Sequence, residues 1–409
     1  MKTILITAYL ARFAAGYLLR YLNLRHLKRH GATVPECFAG AIDAEALAKT
    51  ARYTVEQSRV ALVQSVYDSA LLLAFLFTPL LPHYDAWISS LSANFVVQGV
   101  LFMLLLTLVQ SLLEIPFSLY TTFRIEKRYG FNTTTPGLWL ADLGKSTLIS
   151  ALLLVILVSA ALLLVQSSPE HWWLWVWGFF ALFSITMIYL SPSLIEPLFS
   201  KFEPLGDPGL ECEIRLLLEK GGLEVQGVLK MDASRRSLHS NAYFTGIGRV
   251  KRIVLYDTLI KQMERRELLA ILAHEAGHWK KGHIWKRLVL MEGSALGLFY
   301  IVHLLFSWGG LPGLFGLSGG TFAAQVLMVS FLCSIAAFPL TPLSSWLSRR
   351  HEWEADRFAT ELCGTPDALA SALVKLSRDN LANLHPHPCY ASFYYSHPPV
   401  VVRVARLLE

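Results

Sequence analysis

Long apolar segments constrain the fold of this chain more than any other feature of its sequence. A helix needs about 20 mostly apolar residues to cross the hydrocarbon core of a bilayer. The seven candidate spans are residues 4–22, 61–82, 95–118, 147–166, 172–194, 287–308 and 321–343. The first span is the weakest because it contains Arg12 and Arg20. The sequence therefore predicts a mainly α-helical membrane protein of several spans.

The overall composition agrees with a membrane protein. Hydrophobic residues make up 54% of the 409 residues, charged residues only 16%, and the mean hydropathy is +0.45. A soluble domain rarely has this balance. The net charge of +6 could indicate nucleic-acid binding, but the basic residues alternate with apolar segments, as in the loops of a membrane protein. We therefore expect no nucleic-acid partner.

The charges of the loops predict an orientation, because basic loops usually stay in the cytosol. The basic loops are residues 23–60 and 119–146. The loops without Lys or Arg are residues 83–94, 167–171 and 309–320. Seven alternating spans then place the polar regions 195–286 and 344–409 on the cytosolic side. We expect a multi-pass protein of the bacterial inner membrane or of the endoplasmic reticulum membrane.

The polar region 195–286 has the pattern of a small mixed α+β domain. A helix is predicted over 208–221, where two glycines end it. Short runs rich in β-branched and aromatic residues predict strands at 225–232, 241–246 and 252–257. Residues 261–283 are predicted to form one continuous helix.

The stretch HEAGH, residues 274–278, carries the clearest chemical signal. Residues four apart share one face of a helix, so His274 and His278 can bind one metal ion. Glu275 lies beside that position, where it can take a proton from a bound water. This is the HExxH pattern of zinc metalloproteases, in which zinc lowers the pKa of the water to about 7. The alternative is a basic surface helix that contains two histidines.

A third protein ligand is needed, and cysteine is not a candidate because none of the five cysteines forms a CxxC pair. The extended pattern HExxHxxGxxH fails at Lys281 and Ile284. His283 would point away from His274 on a continuous helix, so we expect it to have a structural role or to support a ligand residue without binding the metal. The best candidate is Glu352. The alternative for the stretch SRRHEWEADRFA, residues 348–359, is an ordinary charged helix.

Two further carboxylates accompany Glu352 on its predicted helix. Asp356 is four residues away on the same face, where it can orient a ligand histidine. Glu354 lies roughly 200° round the helix and is the weaker candidate. The charged residues around HEAGH argue against a position within lipid, so we expect the site at or just below the cytosolic membrane surface.

Several motifs together resemble the type I CAAX prenyl protease family of integral-membrane zinc endopeptidases. They are HEAGHWKKGH, SRRHEWEADRFA, RRSLHSNAYFTG, RIVLYDTLI, EKRYGFNTTTPGLWLADLGKS and YSHPP. The resemblance extends in order from about residue 20 to the end. It implies about seven transmembrane helices around a chamber, closed on the cytosolic side by a zincin-like α+β domain. It also implies one zinc ion.

The resemblance assigns roles to individual residues. His274, His278 and Glu352 match the zinc ligands and Glu275 the catalytic base. The matches outside the metal-binding motifs are Asn241 and Ala242 on a substrate-binding edge strand, His397 as an oxyanion or substrate contact, and Arg403 near the substrate. The chain departs from the family pattern at His351 and Glu354, which flank the third ligand.

We therefore expect four parts in the chain. They are a five-span membrane region at 1–194, a zinc protease domain with the HExxH helix at 195–286, a transmembrane hairpin at 287–343, and the C-terminal part of the protease domain at 344–409.

The resemblance implies removal of a C-terminal tripeptide after a prenylated cysteine. The expected partners are peptide or protein substrates, including lipidated ones, and membrane lipid. The alternatives are a membrane-protein quality-control zinc protease of the HtpX type, and a non-catalytic transporter or scaffold with a relict metal site.

Overall fold

The computed structural model describes residues 1–245 and 252–409, which form mostly helices and one small sheet. The helices are α1 (Lys2–His30), α2 (Ala44–Phe77), α3 (Leu80–Leu91), α4 (Phe95–Tyr120), α5 (Lys127–Tyr129), α6 (Pro136–Ser167), α7 (Trp172–Leu190), α8 (Glu196–Phe199), α9 (Pro208–Lys220), α10 (Asp257–Gln262), α11 (Arg265–Lys280), α12 (His283–Trp308), α13 (Leu311–Leu314), α14 (Phe322–Ala336), α15 (Thr341–Cys363), α16 (Asp367–Asp379), α17 (Pro388–Tyr394) and α18 (Val400–Leu408). The strands are β1 (Phe202–Pro204), β2 (Gly227–Met231), β3 (Ala242–Thr245) and β4 (Arg252–Tyr256).

Five helical segments of the described chain are long and apolar enough to cross a membrane. They are Ala44–Phe77, Phe95–Tyr129, Pro136–Ser167, Trp172–Phe199 and His283–Trp308. A sixth span results if α14 and residues Phe338–Cys363, which meet at a bend of 41°, are counted together. Helix α1 contains the predicted span 4–22 but is not in this set, because Arg12 and Arg20 lower its mean hydropathy. The predicted count of seven spans is not confirmed.

The starts of several helices are fixed by side chains that cap their first turns. Asp43 accepts a hydrogen bond from the backbone of Ala46 at the start of α2. Asn94 and Thr135 do the same for α4 and α6, and Asp207 does so for α9. These side chains satisfy backbone N–H groups that the helix itself leaves unpaired. These four helices therefore begin at defined residues.

The sheet of the polar region has the strand order β1-β2-β4-β3. Strand β2 pairs with β4 in parallel, and β3 pairs with β4 antiparallel, with Ala242 opposite Leu255. One face of the sheet packs on α9 and α11 through a common core that includes Ile214, Ile253 and Leu272. Strand β3, which lies within the predicted strand 241–246, is at the edge of the described sheet; Gly246 lies outside the described residues.

The prediction of one continuous helix over 261–283 is wrong. Helix α10 ends at Gln262, and a capping box between Glu264 and Glu267 starts α11. Helix α11 ends at Lys280, and Gly282 follows with a φ of +64°, which lies in the left-handed region that favours glycine. The chain then turns into α12.

A second apolar core joins the α1–α2 connection to the polar region. Phe38 and Leu47 are buried there together with Ala273 of α11 and Leu369 of α16. The start of α2 therefore lies on the same side of the molecule as the HEAGH stretch.

Candidate metal centre

Helices α11 and α15 approach closely because small residues face each other where they cross. A Cβ added to Gly277 would lie 2.9 Å from the Cα atom of Ala355 and 3.2 Å from its carbonyl oxygen. Glycine at this position therefore lets the two helix backbones come into contact. The contact places Glu352 of α15 opposite His274 and His278 of α11.

These three residues, His274, His278 and Glu352, each offer a ligand atom to one point, and the three atoms lie within 4.8 Å of one another. The two Nε2 atoms are 3.3 Å apart. Glu352 Oε2 lies 3.4 Å from His274 Nε2, and Glu352 Oε1 lies 3.3 Å from His278 Nε2. Glu352 is only 2% exposed, and within the described residues its Oε2 atom makes no hydrogen bond. A buried carboxylate oxygen that makes no hydrogen bond and lies beside two imidazoles fits a divalent metal that prefers nitrogen and oxygen ligands, such as zinc.

Asp356 contacts the ring nitrogen of His274 that faces away from the metal position, and Arg403 in turn binds Asp356. Asp356 Oδ1 lies 2.8 Å from His274 Nδ1, which leaves Nε2 free to face the metal position. Arg403 donates hydrogen bonds of 2.9 and 2.6 Å to the two oxygens of Asp356, and Arg403 itself is 7% exposed. A carboxylate in this position fixes the tautomer and ring orientation of a ligand histidine. The sequence analysis anticipated the contact of Asp356 but had no signal for its pairing with Arg403.

The pKa values of His274 and Glu275 are both shifted. Burial alone would lower the pKa of His274, but the carboxylates of Asp356 and Glu352 beside it outweigh burial and raise the pKa to about 9. Burial raises the pKa of the Glu275 carboxyl, against the opposing influence of His274 and His278. A raised pKa makes a carboxylate a better proton acceptor near neutral pH. A proton competes with a metal for His274, so metal affinity should fall as the pH falls.

His278 is in contact with His283, which the sequence analysis expected to point away from the metal position. Its Nδ1 atom lies 3.0 Å from Nδ1 of His283, and His283 Nε2 lies 3.1 Å from Glu354 Oε2. The ring of His351 stacks on His283 with centroids 4.0 Å apart. His283 does not point away, because the helix breaks at Gly282, and this glycine was the available signal. His351 and Glu354, the two departures from the family pattern, therefore both contact His283, the residue that contacts the candidate ligand His278.

The C-terminal segment brings His397 to the rim of the centre. Its Nε2 atom lies 3.4 Å from Glu352 Oε1, while its side chain is 62% exposed. Ser396 Oγ lies 3.0 Å from His397 Nδ1. His397 is therefore accessible from outside while remaining close to the candidate ligands.

Strand β3 lies beside the helix that carries HEAGH. The ring of Phe244 on β3 is 6.3 Å from the ring of Trp279, the residue after His278. Asn241 directly precedes the strand and accepts a backbone hydrogen bond from Tyr256, and Ala242 begins the strand. The outer edge of β3 carries no described partner strand, so an extended peptide could add to it.

The helix contact leads to a prediction for Gly277→Ala. The added methyl group would press on the backbone of Ala355, and overpacking of this kind costs about 1–3 kcal/mol. We expect the variant to unfold at a lower temperature and to bind zinc at least about tenfold more weakly, since Glu352 is displaced. Gly293→Ala in α12 is the matched control, because an added Cβ there meets no atom within 4 Å. Equal zinc affinity in Gly277→Ala and the control would contradict the role of this contact.

Comparisons with known proteins agree with the motifs. A family model described as the CAAX prenyl protease N-terminal region, with five membrane helices, matches residues 23–201. The model of peptidase family M48 matches residues 204–409. Together they cover both the membrane region and the candidate metal centre.

Individual relatives match over nearly the whole chain. A CAAX prenyl protease 1 homolog of Arabidopsis thaliana is 33% identical over 401 residues, which are 94% of this chain and 92% of the relative. CAAX prenyl protease 1 of Saccharomyces cerevisiae is 31% identical, with 95% of this chain and 91% of the relative covered. The crystal structure of S. mikatae Ste24p superposes with a TM-score of 0.89 at 29% identity and covers 99% of this chain and 98% of that one.

The matching family models, the full-length relatives and the shared fold lead to one conclusion. This chain belongs to the CAAX prenyl protease 1 family within peptidase family M48, and it is an integral-membrane metalloendopeptidase.

Proposed function

We propose that this chain is a zinc endopeptidase that cuts prenyl-type CAAX substrates near their C-terminus, at the membrane. In this proposal His274, His278 and Glu352 hold one zinc ion. The observation that carries it is the convergence of three ligand atoms within 4.8 Å at a buried carboxylate. The names of the similar proteins support the substrate class.

The proposed mechanism uses Glu275 as the proton carrier. When bound, zinc supplies Lewis-acid polarisation of the scissile carbonyl and lowers the pKa of a water ligand. Glu275 accepts a proton from the attacking water and returns it to the leaving amine. The raised pKa of Glu275 supports both steps, because a carboxylate with a pKa nearer neutrality binds and releases a proton more evenly.

The residues around the metal position have proposed roles in binding the peptide. The edge of β3 next to Asn241 and Ala242 aligns an extended peptide through backbone hydrogen bonds. His397 donates a hydrogen bond to the oxyanion that develops on the carbonyl oxygen. Arg403 is buried and bonded to Asp356, so we propose that it positions Asp356 and His274.

The active site is proposed to face the cytosol, whether the membrane is the endoplasmic reticulum or a bacterial inner membrane. Basic loops are usually cytosolic, and both basic loops contact the polar region that carries the site. In the loop 23–60, Phe38 shares a core with Ala273 of α11. In the loop 119–146, Glu126 lies 3.2 Å from His239, just before β3.

The chain is proposed to divide at residues 194, 286 and 343. This division assigns residues 195–286 and 344–409 to one protease domain.

The test is cleavage of a farnesylated CAAX peptide by the purified full chain. We expect release of the C-terminal tripeptide, loss of this activity with a chelator and its return with added zinc. The same peptide without the prenyl group is the matched substrate control and should be cut more slowly. Hydrolysis that persists after complete removal of zinc would contradict the proposed chemistry, and equal cleavage of both peptides would contradict the substrate class.

A further inference from the structure

A cavity between α1 and α2 is lined by an unusual number of cations. Its volume is about 940 Å³. Its basic lining residues, all exposed, are Arg25, Lys28, Arg29, Arg52 and Arg59. The acid that lines it, Glu56, already forms an ion pair of 2.7 Å with Arg128, which lies outside the lining. The cavity therefore holds surplus positive charge from both helices.

None of these five cations forms an ion pair with a carboxylate in residues 1–245 or 252–409. The attraction of basic residues to the C-terminus of a helix accounts for the placement of only some of them. Lys28 and Arg29 lie in the last turn of α1, where they stabilise the partial negative charge of a helix C-terminus. Arg52 and Arg59 lie in the first half of α2, which begins at Ala44, so this effect does not explain them. Like charges that converge on one cavity repel each other, and a bound anion would remove that cost.

The seam between the same two helices holds further unsatisfied donors. Arg12 Nε and Arg20 Nη1 are buried and have no hydrogen-bond partner among the described residues. Both arginines line a small cavity with Leu62 and Ser65 of α2. Buried N–H groups without acceptors cost free energy, which oxygen atoms of a ligand in the seam could recover.

The position of the cavity indicates what kind of anion reaches it. Helix α2 is a candidate membrane span, and the cavity lies near its start, at residues 51–59. That start is joined to the metal-site side by the core around Leu47 and Ala273. Basic pockets beside membrane-spanning helices bind the headgroups of anionic lipids. We propose that the α1–α2 cavity binds the headgroup of an anionic phospholipid that carries more than one negative charge.

The test uses native mass spectrometry of the purified full chain, titrated with cardiolipin, phosphatidylglycerol or phosphatidylcholine. We expect affinity to increase with headgroup charge. The double variant Arg52→Gln/Arg59→Gln should bind cardiolipin about 30-fold more weakly, since each basic residue near an anionic lipid contributes about fivefold. The matched control is Arg124→Gln/Lys127→Gln, which removes two exposed cations of the other basic loop outside the cavity and should bind as the unchanged chain does.

Three results would overturn the proposal. Equal weakening in the two double variants would show diffuse attraction by the basic surface. Equal affinity for phosphatidylcholine and cardiolipin would show that headgroup charge is not recognised. Full displacement of cardiolipin by inorganic phosphate would assign the cavity to a soluble anion. Zinc content of each variant serves as the check on folding, and lipid binding is read without any peptide substrate.

Discussion

Replacement of Glu275 by glutamine is expected to slow peptide hydrolysis by orders of magnitude while zinc stays bound. Glutamine keeps the size of the side chain but cannot accept the proton of the attacking water. A positioned general base contributes about 10²- to 10⁴-fold, so kcat should fall by that amount, with a smaller change in KM. Glu275 is not one of the three converging ligand residues, so its loss should leave the metal content near one zinc per chain.

The measurement is the steady-state rate of cleavage over a range of prenylated-peptide concentrations, together with zinc content by mass spectrometry. Glu361→Gln is the matched control, since Glu361 is exposed on α15 and should have ordinary activity. A Glu275→Gln protein that keeps more than about a tenth of the rate would refute its role as the base.

Replacement of Glu352 is expected to remove the metal itself. Glu352 is the carboxylate that faces both His274 and His278, and zinc sites of this kind need three protein ligands. We expect Glu352→Gln to bind zinc more than about 100-fold more weakly, beyond the 10- to 100-fold that the loss of a supporting residue costs. Hydrolysis should disappear in parallel.

Glu354→Gln separates the loss of a ligand from a general effect of charge. Glu354 lies two residues further along α15 and contacts His283 rather than the metal position. The Glu354→Gln substitution should lower zinc affinity by about 10- to 100-fold at most. Zinc affinity and thermal unfolding are measured for both variants, and Glu352→Gln that is folded and binds zinc as tightly as the unchanged chain would exclude Glu352 as a ligand.

The sequence predicted the parts of the structure that depend on local patterns. The apolar spans follow from length and hydropathy, and the strands at 227–231 and 252–256 follow from β-branched runs. The spacing within HEAGH predicted two histidines on one face of a helix. The convergence of Glu352 with them was inferred from loop charge and family resemblance, and the structure brings the three side chains together.

Other features depend on tertiary contacts that local patterns do not specify. The break at Gly282 turns His283 back toward His278, although the helical pattern continues through it. The contact of Gly277 with Ala355 depends on how two helices distant in sequence cross. The pairing of Arg403 with Asp356 joins residues 47 apart, and no spacing rule predicts it. Helix α1 was ambiguous because two arginines interrupt its apolar pattern.

X-ray absorption at the zinc edge of the freshly purified chain tests the central claim most directly. The account predicts two imidazole nitrogens at about 2.0–2.1 Å, carboxylate and water oxygens, and no sulfur in the first shell. In His274→Ala and in His278→Ala the imidazole contribution should fall to at most one nitrogen, or disappear together with the zinc. A sulfur neighbour at about 2.3 Å, or a zinc that keeps both histidine neighbours in each of the two variants, would contradict a centre built from His274, His278 and Glu352.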